Sequence, residues 1–263
     1  MTAYETIMVE KSDDLVATVT LNRPERLNSY NIAVLNDFKA FWEEAGKDDA
    51  INAVVLRACE GRAFSTGQDV REEAGILRSD NIWFQECPGH SLSPKRNRFW
   101  KPVITAVHGM AAGGAFYWLN ESDIIICSED ATFFDPHCTF GLVAALEPIG
   151  ATYRMPLGDV LRMALLGNDE RISAYSALRM GLVTEVVPKS ELWTRAHELA
   201  AKIARKPPMA IQGTIRAIWE SLDLPREAAL DRGLSYTHIG NPIARTQVDR
   251  DKILSGKQQF TIR

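Results

Sequence analysis

No Cys-x-x-Cys pair and no histidine at metal-ligand spacing occurs in the 263 residues, and the four cysteines, Cys59, Cys87, Cys127 and Cys138, are scattered. This argues against the usual zinc motifs and against a disulfide framework. The thiols read as small buried hydrophobes in a reducing compartment, so a cytoplasmic protein without a metal or redox nucleotide is expected. Positive charge is not in excess either: the net charge is −4, which speaks against a nucleic-acid or membrane surface. The start, MTAYETIMVEKSDD, lacks the basic beginning and apolar core of a signal peptide. One stretch, Pro102 to Leu119, has no formal charge apart from His108 and approaches the length of about 20 residues that spans a membrane. Its proline, its glycines and its strand-like start favour a buried strand, turn and helix instead. What is abundant is apolar: 46% of the residues are hydrophobic, enough for one large core with a helical appendage.

Two segments carry chemistry. In Lys101 to Cys127 an apolar strand passes through Gly109, Gly113 and Gly114 into a helix and out to another apolar strand. Glycines permit backbone angles and close approaches that other residues resist. A helix start has unpartnered N–H groups that can hold an anion or a polarised carbonyl oxygen; the same glycines also serve plain helix–strand packing. The second segment, Ala63 to Val70 (AFSTGQDV), follows the apolar run Ala53-Val54-Val55-Leu56, so another strand empties into a small-residue loop. Two converging backbone donors are what a thioester oxygen needs as it becomes an enolate or oxyanion.

The remaining pattern alternates strands and helices. Leu15 to Leu21 reads as a strand ended by Asn22-Arg23-Pro24. Asn31 caps a helix whose apolar side is Val34, Leu35, Phe38, Phe41, Trp42 and Ala45. Further strands are expected near Ala53–Arg57, Val103–Val107, Ile124–Cys127 and Leu182–Val187, as in stacked ββα units. Three helices are expected to close the chain, the first capped by Ser190 and the second starting after Pro207-Pro208. Trp83, Phe84, Phe99 and Trp100 read as core and pocket lining.

The ordered motifs LNRPERLNSYN (Leu21 to Asn31), AFSTGQDV, KPVITAVHGMAAGG (Lys101 to Gly114), DIIICSEDATFFDP (Asp123 to Pro136) and GLVTEVVP (Gly181 to Pro188) resemble the crotonase family, also called the enoyl-CoA hydratase/isomerase superfamily. The match is looser beyond Pro188. It implies an α/β fold, a crotonase-like spiral of repeated ββα units over residues 1–188. A helical C-terminal region over 189–263 would cover the site or mediate oligomerisation. It also implies an acyl-CoA substrate and no other cofactor, no nucleic acid or membrane partner, and a homotrimer or dimer of trimers.

Carried over by position, the resemblance makes the N–H groups of Thr66 and Gly114 the oxyanion donors. It places Ala63, Ser65, Gln68, Asp69, Met110 and Gly113 along the CoA and substrate path, and Arg26 near a CoA phosphate, where a guanidinium fork suits phosphate oxygens. Arg26 also reads as a solvated loop charge.

Hydratases of this family use two glutamates, and here the matching positions hold Tyr117 and His137. Hydration needs one group to deprotonate water and one to deliver a proton to the α-carbon. Tyrosine, with a pKa of about 10, is a poor base at neutral pH, while histidine, at about 6.5, serves as acid or base. Asp135, two residues before His137, would share its face in an extended segment and orient the ring. A His at this place also resembles the family branch that cleaves β-diketones by adding water; otherwise it caps a turn. Glu147 lies where some crotonases place an acidic catalytic residue. If buried, it would have a raised pKa; beside Pro148 it also suits a helix first turn. The expected activity is therefore that of an enoyl-CoA hydratase or isomerase, with hydrolysis of a thioester or carbon–carbon bond by His137, or CoA-ester binding without turnover, as alternatives.

Overall fold

The computed structural model describes residues 4–72, 87–256 and 260–262. Strands β1 (Ile7–Lys11) and β2 (Val16–Leu21) pair antiparallel, and the chain then enters α1 (Ile32–Lys47). In the next three repeats one strand joins a large sheet and the following one a small sheet. These are β3 (Ala53–Ala58) with β4 (Ala63–Ser65), β5 (Val103–Val107) with β6 (Met110–Ala112), and β7 (Ile124–Ser128) with β8 (Thr132–Phe134). Short helices α2 (Gly89–Leu92) and α3 (Phe116–Leu119) flank the middle repeat, and α4 (Leu146–Ala151) and α5 (Leu157–Leu166) follow the last. After β9 (Ile172–Ser173), α6 (Ala174–Met180) and β10 (Glu185–Val187), the chain continues as α7 (Leu192–Ala204), α8 (Pro208–Ser221), α9 (Arg226–Ala244) and α10 (Arg250–Ser255).

The large sheet runs β1-β2-β3-β5-β7-β10 and the small one β4-β6-β8-β9. From β2 onwards the large sheet is parallel. Parallel strands covered on both faces should be continuously apolar, and Val103–Val107 is buried at every position. Helix α1 closes one side of the core. Asn31 caps it, its side-chain oxygen accepting the Val34 N–H at 3.1 Å, a bond worth about 1 kcal/mol. Val34, Phe38, Phe41, Trp42 and Ala45 are buried on its inner face.

Local readings needed several corrections. Ser190 caps nothing: it sits in a short turn, Lys189–Glu191, ahead of α7, whose first turn has no side-chain cap. Among the described residues four α-helices rather than three follow the last strand, and that strand begins at Glu185 rather than Leu182. Of the cysteines only Cys127 is buried, and Cys138 is exposed, because the turn after β8 carries it outward. Phe99 is core as expected; Trp83 and Phe84 lie outside the described residues. Among the described residues no helix is long and apolar enough to cross a membrane.

The small sheet positions the site. Strands β4, β6 and β8 are parallel, with Ser65 opposite Ala111 and Ala112 opposite Phe134. Their C-terminal ends therefore lie side by side, followed by Thr66–Gln68, Gly113–Gly114 and Asp135–His137.

Candidate active site

The loop after β4 is held from both sides. Ser65 Oγ accepts the Gly67 N–H at 3.2 Å. Tyr30 donates its N–H to the Gly67 carbonyl at 2.8 Å and accepts the Asp69 N–H at 2.9 Å. Tyr30 thus bonds on either side of Gln68, with which it forms a parallel bridge. Successive peptide groups alternate in direction in an extended segment, so the Gln68 N–H points away from Tyr30, and no described residue accepts it. The Thr66 N–H, in contrast, is donated to the Leu27 carbonyl at 3.2 Å. This corrects the expectation that Thr66 offers a free donor: the register of the loop against residues 27–30 uses that group and leaves the one two residues later.

Gly67 has φ of +84°, and a Cβ there would lie 2.7 Å from the Gly114 nitrogen and 3.0 Å from the Ala112 carbonyl oxygen. The loop and the glycine turn therefore meet at backbone contact, which only glycine allows. Gly67→Ala is expected to lose about 1–3 kcal/mol from the left-handed conformation alone, with more from the clash. Thermal unfolding should show a melting temperature lowered by several degrees.

After β6, Gly113–Ala115 form a single tight turn leading into α3, and the first N–H groups of such a turn have no partner inside it. Gly114 is equally confined: a Cβ would approach the Tyr30 ring to 2.5 Å and its hydroxyl oxygen to 2.8 Å. The buried Tyr30 was not singled out from sequence, since only its packing against Gly114 marks it.

The third strand end carries the ionisable groups. His137 Nδ1 lies 2.5 Å from Asp135 Oδ1, which also accepts the His137 backbone N–H at 3.0 Å. A carboxylate accepts, so Nδ1 donates and Nε2 is left facing Glu147, whose Oε1 is 4.0 Å away. Glu147 is buried in the first turn of α4, its carbonyl held by Asn120 Nδ2 at 2.8 Å. The Tyr117 ring stands near the same carboxylate, whose charge acts on its phenol. His137 also borders the glycine turn: its Cε1 would be 3.6 Å from a Cβ on Gly113. Tyr117, His137 and Glu147, singled out from three separate segments, thus come together in one cluster, with Asp135 beneath it.

Environment sets their protonation. The hydrogen bond to Asp135 raises the pKa of His137 above its ordinary 6.5, against the opposing effect of burial. Burial raises Glu147 above 4.5. Burial, with the Glu147 charge nearby, lifts the Tyr117 phenol far out of the neutral range. Tyr117 therefore keeps its proton and is not a base, whereas His137 and Glu147 both titrate above their ordinary values.

The other expected site residues are dispersed. Asp69 is buried and turned to Arg23, 3.3 Å from its Nη2, so its carboxylate pins the loop instead of lining a substrate path. Ser65 is likewise buried and spent on Gly67. Ala63 and Met110 face each other at the opposite, N-terminal ends of β4 and β6. Arg26, on a turn at Pro24–Arg26, is about one-third exposed, with Nη2 3.9 Å from Glu72. His108 is fully buried, so desolvation lowers its pKa, and it takes no part in the cluster.

Residues 11–241 match the family model described as enoyl-CoA hydratase/isomerase. The chain belongs to this family. It is 32% identical to (E)-benzylidenesuccinyl-CoA hydratase of Thauera aromatica, over 89% of this chain and 89% of that protein. It is 31% identical to a short-chain-enoyl-CoA hydratase of Clostridium acetobutylicum, over 85% of each. Among solved structures, an enoyl-CoA hydratase/isomerase from Mycobacterium paratuberculosis has 36% identity and a TM-score of 0.77, covering 97% of this chain and 92% of that one. The enoyl-CoA hydratase/isomerase fold accounts for the spiral of ββα units and the three aligned strand ends described above.

Proposed function

We propose that this enoyl-CoA hydratase/isomerase family member adds water to the double bond of an enoyl-CoA thioester. The observation that carries the reading is the buried Glu147 carboxylate, near Tyr117 and 4.0 Å from His137 Nε2. Where hydratases of the family have glutamates at both matched positions, α4 here brings one carboxylate against the tyrosine and the histidine that stand there. Two proton carriers at one place are what hydration requires.

In this reading the thioester oxygen accepts the N–H groups of Gln68 and Gly114, which face it as charge develops during attack. The Glu147 carboxylate takes a proton from water as its oxygen bonds to Cβ. The His137 imidazolium delivers a proton to Cα, and the proton on Glu147 returns to His137, so one water is added with no net change in the protein. Tyr117 borders the carboxylate, and Asp135 holds the imidazole. Arg26 meets a CoA phosphate. The trimeric or hexameric assembly implied by the family belongs to the same reading, supported by the exposed row Leu157, Leu161 and Leu165 on α5.

The active form has Glu147 ionised and His137 protonated, so kcat/KM should trace a bell. Its acid limb should lie above the ordinary carboxylate value of 4.5, because Glu147 is raised and loses its charge as pH falls through that raised value. Its basic limb should lie above 6.5, because His137 is raised and loses its proton only beyond that. Both limbs belong to the coupled pair. Asp135→Asn removes the largest cause of the His137 shift. Its basic limb should therefore move to lower pH, and its acid limb should follow by a smaller step because Asp135 is only a lesser cause of the Glu147 shift, a difference that rate measurements across pH will resolve.

A second reading has a specific basis in the Asp135–His137 contact, since a carboxylate-oriented imidazole also activates water to cleave a thioester or a carbon–carbon bond. Product masses from a panel of enoyl-CoA and β-oxoacyl-CoA thioesters decide between them. A gain of one water with CoA retained supports hydration. Free CoA or a shortened acid supports hydrolysis, and binding without product supports a CoA-ester-binding protein.

A further inference from the structure

Tyr30 spans the two halves of the candidate thioester site. Its main chain is bonded to the loop after β4 through Gly67 and Asp69, on either side of Gln68. Its ring crosses to the glycine turn, where a Cβ on Gly114 would lie 2.5 Å from Cε1 and 2.8 Å from the hydroxyl oxygen. Two aromatic neighbours from α3 hold the ring there. It meets Tyr117 edge-on with centroids 6.3 Å apart and Trp118 with centroids 6.2 Å apart, at interplanar angles of 69° and 81°. Edge-to-face pairs at such separations are favourable, so the ring direction is fixed. The hydroxyl therefore rests against Gly114, whose N–H is one of the two proposed donors.

That hydroxyl is uncommitted. Tyr30 is only 2% exposed, and a phenol so deeply buried usually finds a hydrogen-bond partner, yet this one bonds no described residue. Among the described residues, the polar side-chain atoms sealed in without a partner belong to His108, Trp118, Asn120 and Asp135. The Tyr30 oxygen is not one of them, so it keeps an opening to solvent beside Gly114. Burial first, and then the nearby Glu147 and Cys87, raise the pKa of the phenol. The group therefore holds its proton across the neutral range and can donate it to a hydrogen bond.

We infer that the Tyr30 hydroxyl is a third donor to the thioester oxygen, beside the N–H groups of Gln68 and Gly114. This rests on the reading of those two groups as the oxyanion donors and adds a side chain to them. An oxygen that accepts the Gly114 N–H lies against the residue on which the hydroxyl rests. It is also where negative charge develops, and a donor fixed in advance acts most strongly there. The Glu147 carboxylate is a less suitable acceptor: it acts on the phenol through its charge alone, and no hydrogen bond joins the two.

The test binds butanoyl-CoA, isotopically labelled at the thioester carbonyl, to the full-length protein and reads the carbonyl stretch by infrared difference spectroscopy. This thioester is saturated, so the reading does not depend on which reaction the enzyme performs. Hydrogen bonds to a carbonyl oxygen lower its stretch, and the wild-type complex should absorb below the free thioester. Tyr30→Phe keeps the ring and its contacts with Tyr117, Trp118 and Gly114, and removes only an oxygen that bonds no described residue, so the fold is retained. In this variant the stretch should return part of the way toward the free value. Its kcat for enoyl-CoA should fall by about tenfold or more, toward the roughly 10²–10³-fold that loss of one oxyanion donor costs. An unchanged stretch in the variant, or undiminished turnover, overturns the inference and leaves the two backbone donors in place. A wild-type stretch no lower than that of the free thioester overturns the backbone donors as well.

Discussion

His137→Gln should lower kcat for enoyl-CoA hydration by about 10²–10⁴-fold with little change in melting temperature. Glutamine is close to histidine in size, and its amide can still donate to Asp135, so the packing against the glycine turn and the Asp135 contact at 2.5 Å are largely preserved. What is lost is a group that carries a proton near neutral pH. Because Gln68 and Gly114 are untouched, the KM should change far less than kcat, as expected when an interaction made in the transition state is removed. A variant that kept full turnover with an intact fold would show that the imidazole is structural.

Glu147→Gln should be equally damaging to turnover and should act in the opposite direction on stability. The buried carboxylate has its pKa raised mainly by loss of hydration. For an acid whose folded pKa lies above the unfolded value, folding is most favourable when it is protonated, and stability falls as pH rises through that interval. At neutral pH the ionised Glu147 is therefore a cost to the fold. A neutral amide of the same shape removes the cost. Kinetics should show a loss of about 10²–10⁴-fold, while thermal unfolding near pH 7 should give an unchanged or higher melting temperature. Such exchange of stability against activity is common where a functional site holds a desolvated charge. A variant both inactive and strongly destabilised would mean that Glu147 serves the fold instead.

Much of this architecture was legible in the chain because local signals agreed with the global arrangement. Asn31 followed by apolar residues at helical spacing gave α1 and its cap, and the continuous run Val103 to Val107 gave a buried parallel strand at the observed boundaries. Gly113 and Gly114 marked the turn: Gly113 takes a φ of +49°, and a Cβ on Gly114 would collide with Tyr30. Tyr117 and His137 were found as departures from a family pattern, and Glu147 by its place where some members of the family have an acidic catalytic residue. What the sequence could not show was long-range register. The choice between Thr66 and Gln68 depends on how the loop pairs with residues 27–30, since a shift of two residues exchanges which N–H is committed and which is free. The same limit applies to Asp69, whose burial against Arg23 joins positions far apart in the chain, and to Ala63 and Met110, whose place at the wrong end of the small sheet follows from strand direction. Ser190 failed for a local reason: an extra turn before α7 moved the helix start beyond its reach.

The claim that Glu147 and His137 work as one unit is tested most directly by a double-mutant cycle on kcat with the best enoyl-CoA substrate, comparing His137→Gln, Glu147→Gln and the double variant. If the two groups pass one proton between them, removing either disables the step, and the double variant should be no slower than the slower single variant within about threefold. Losses that multiply across the two sites would contradict the account, because each residue would then be acting on its own.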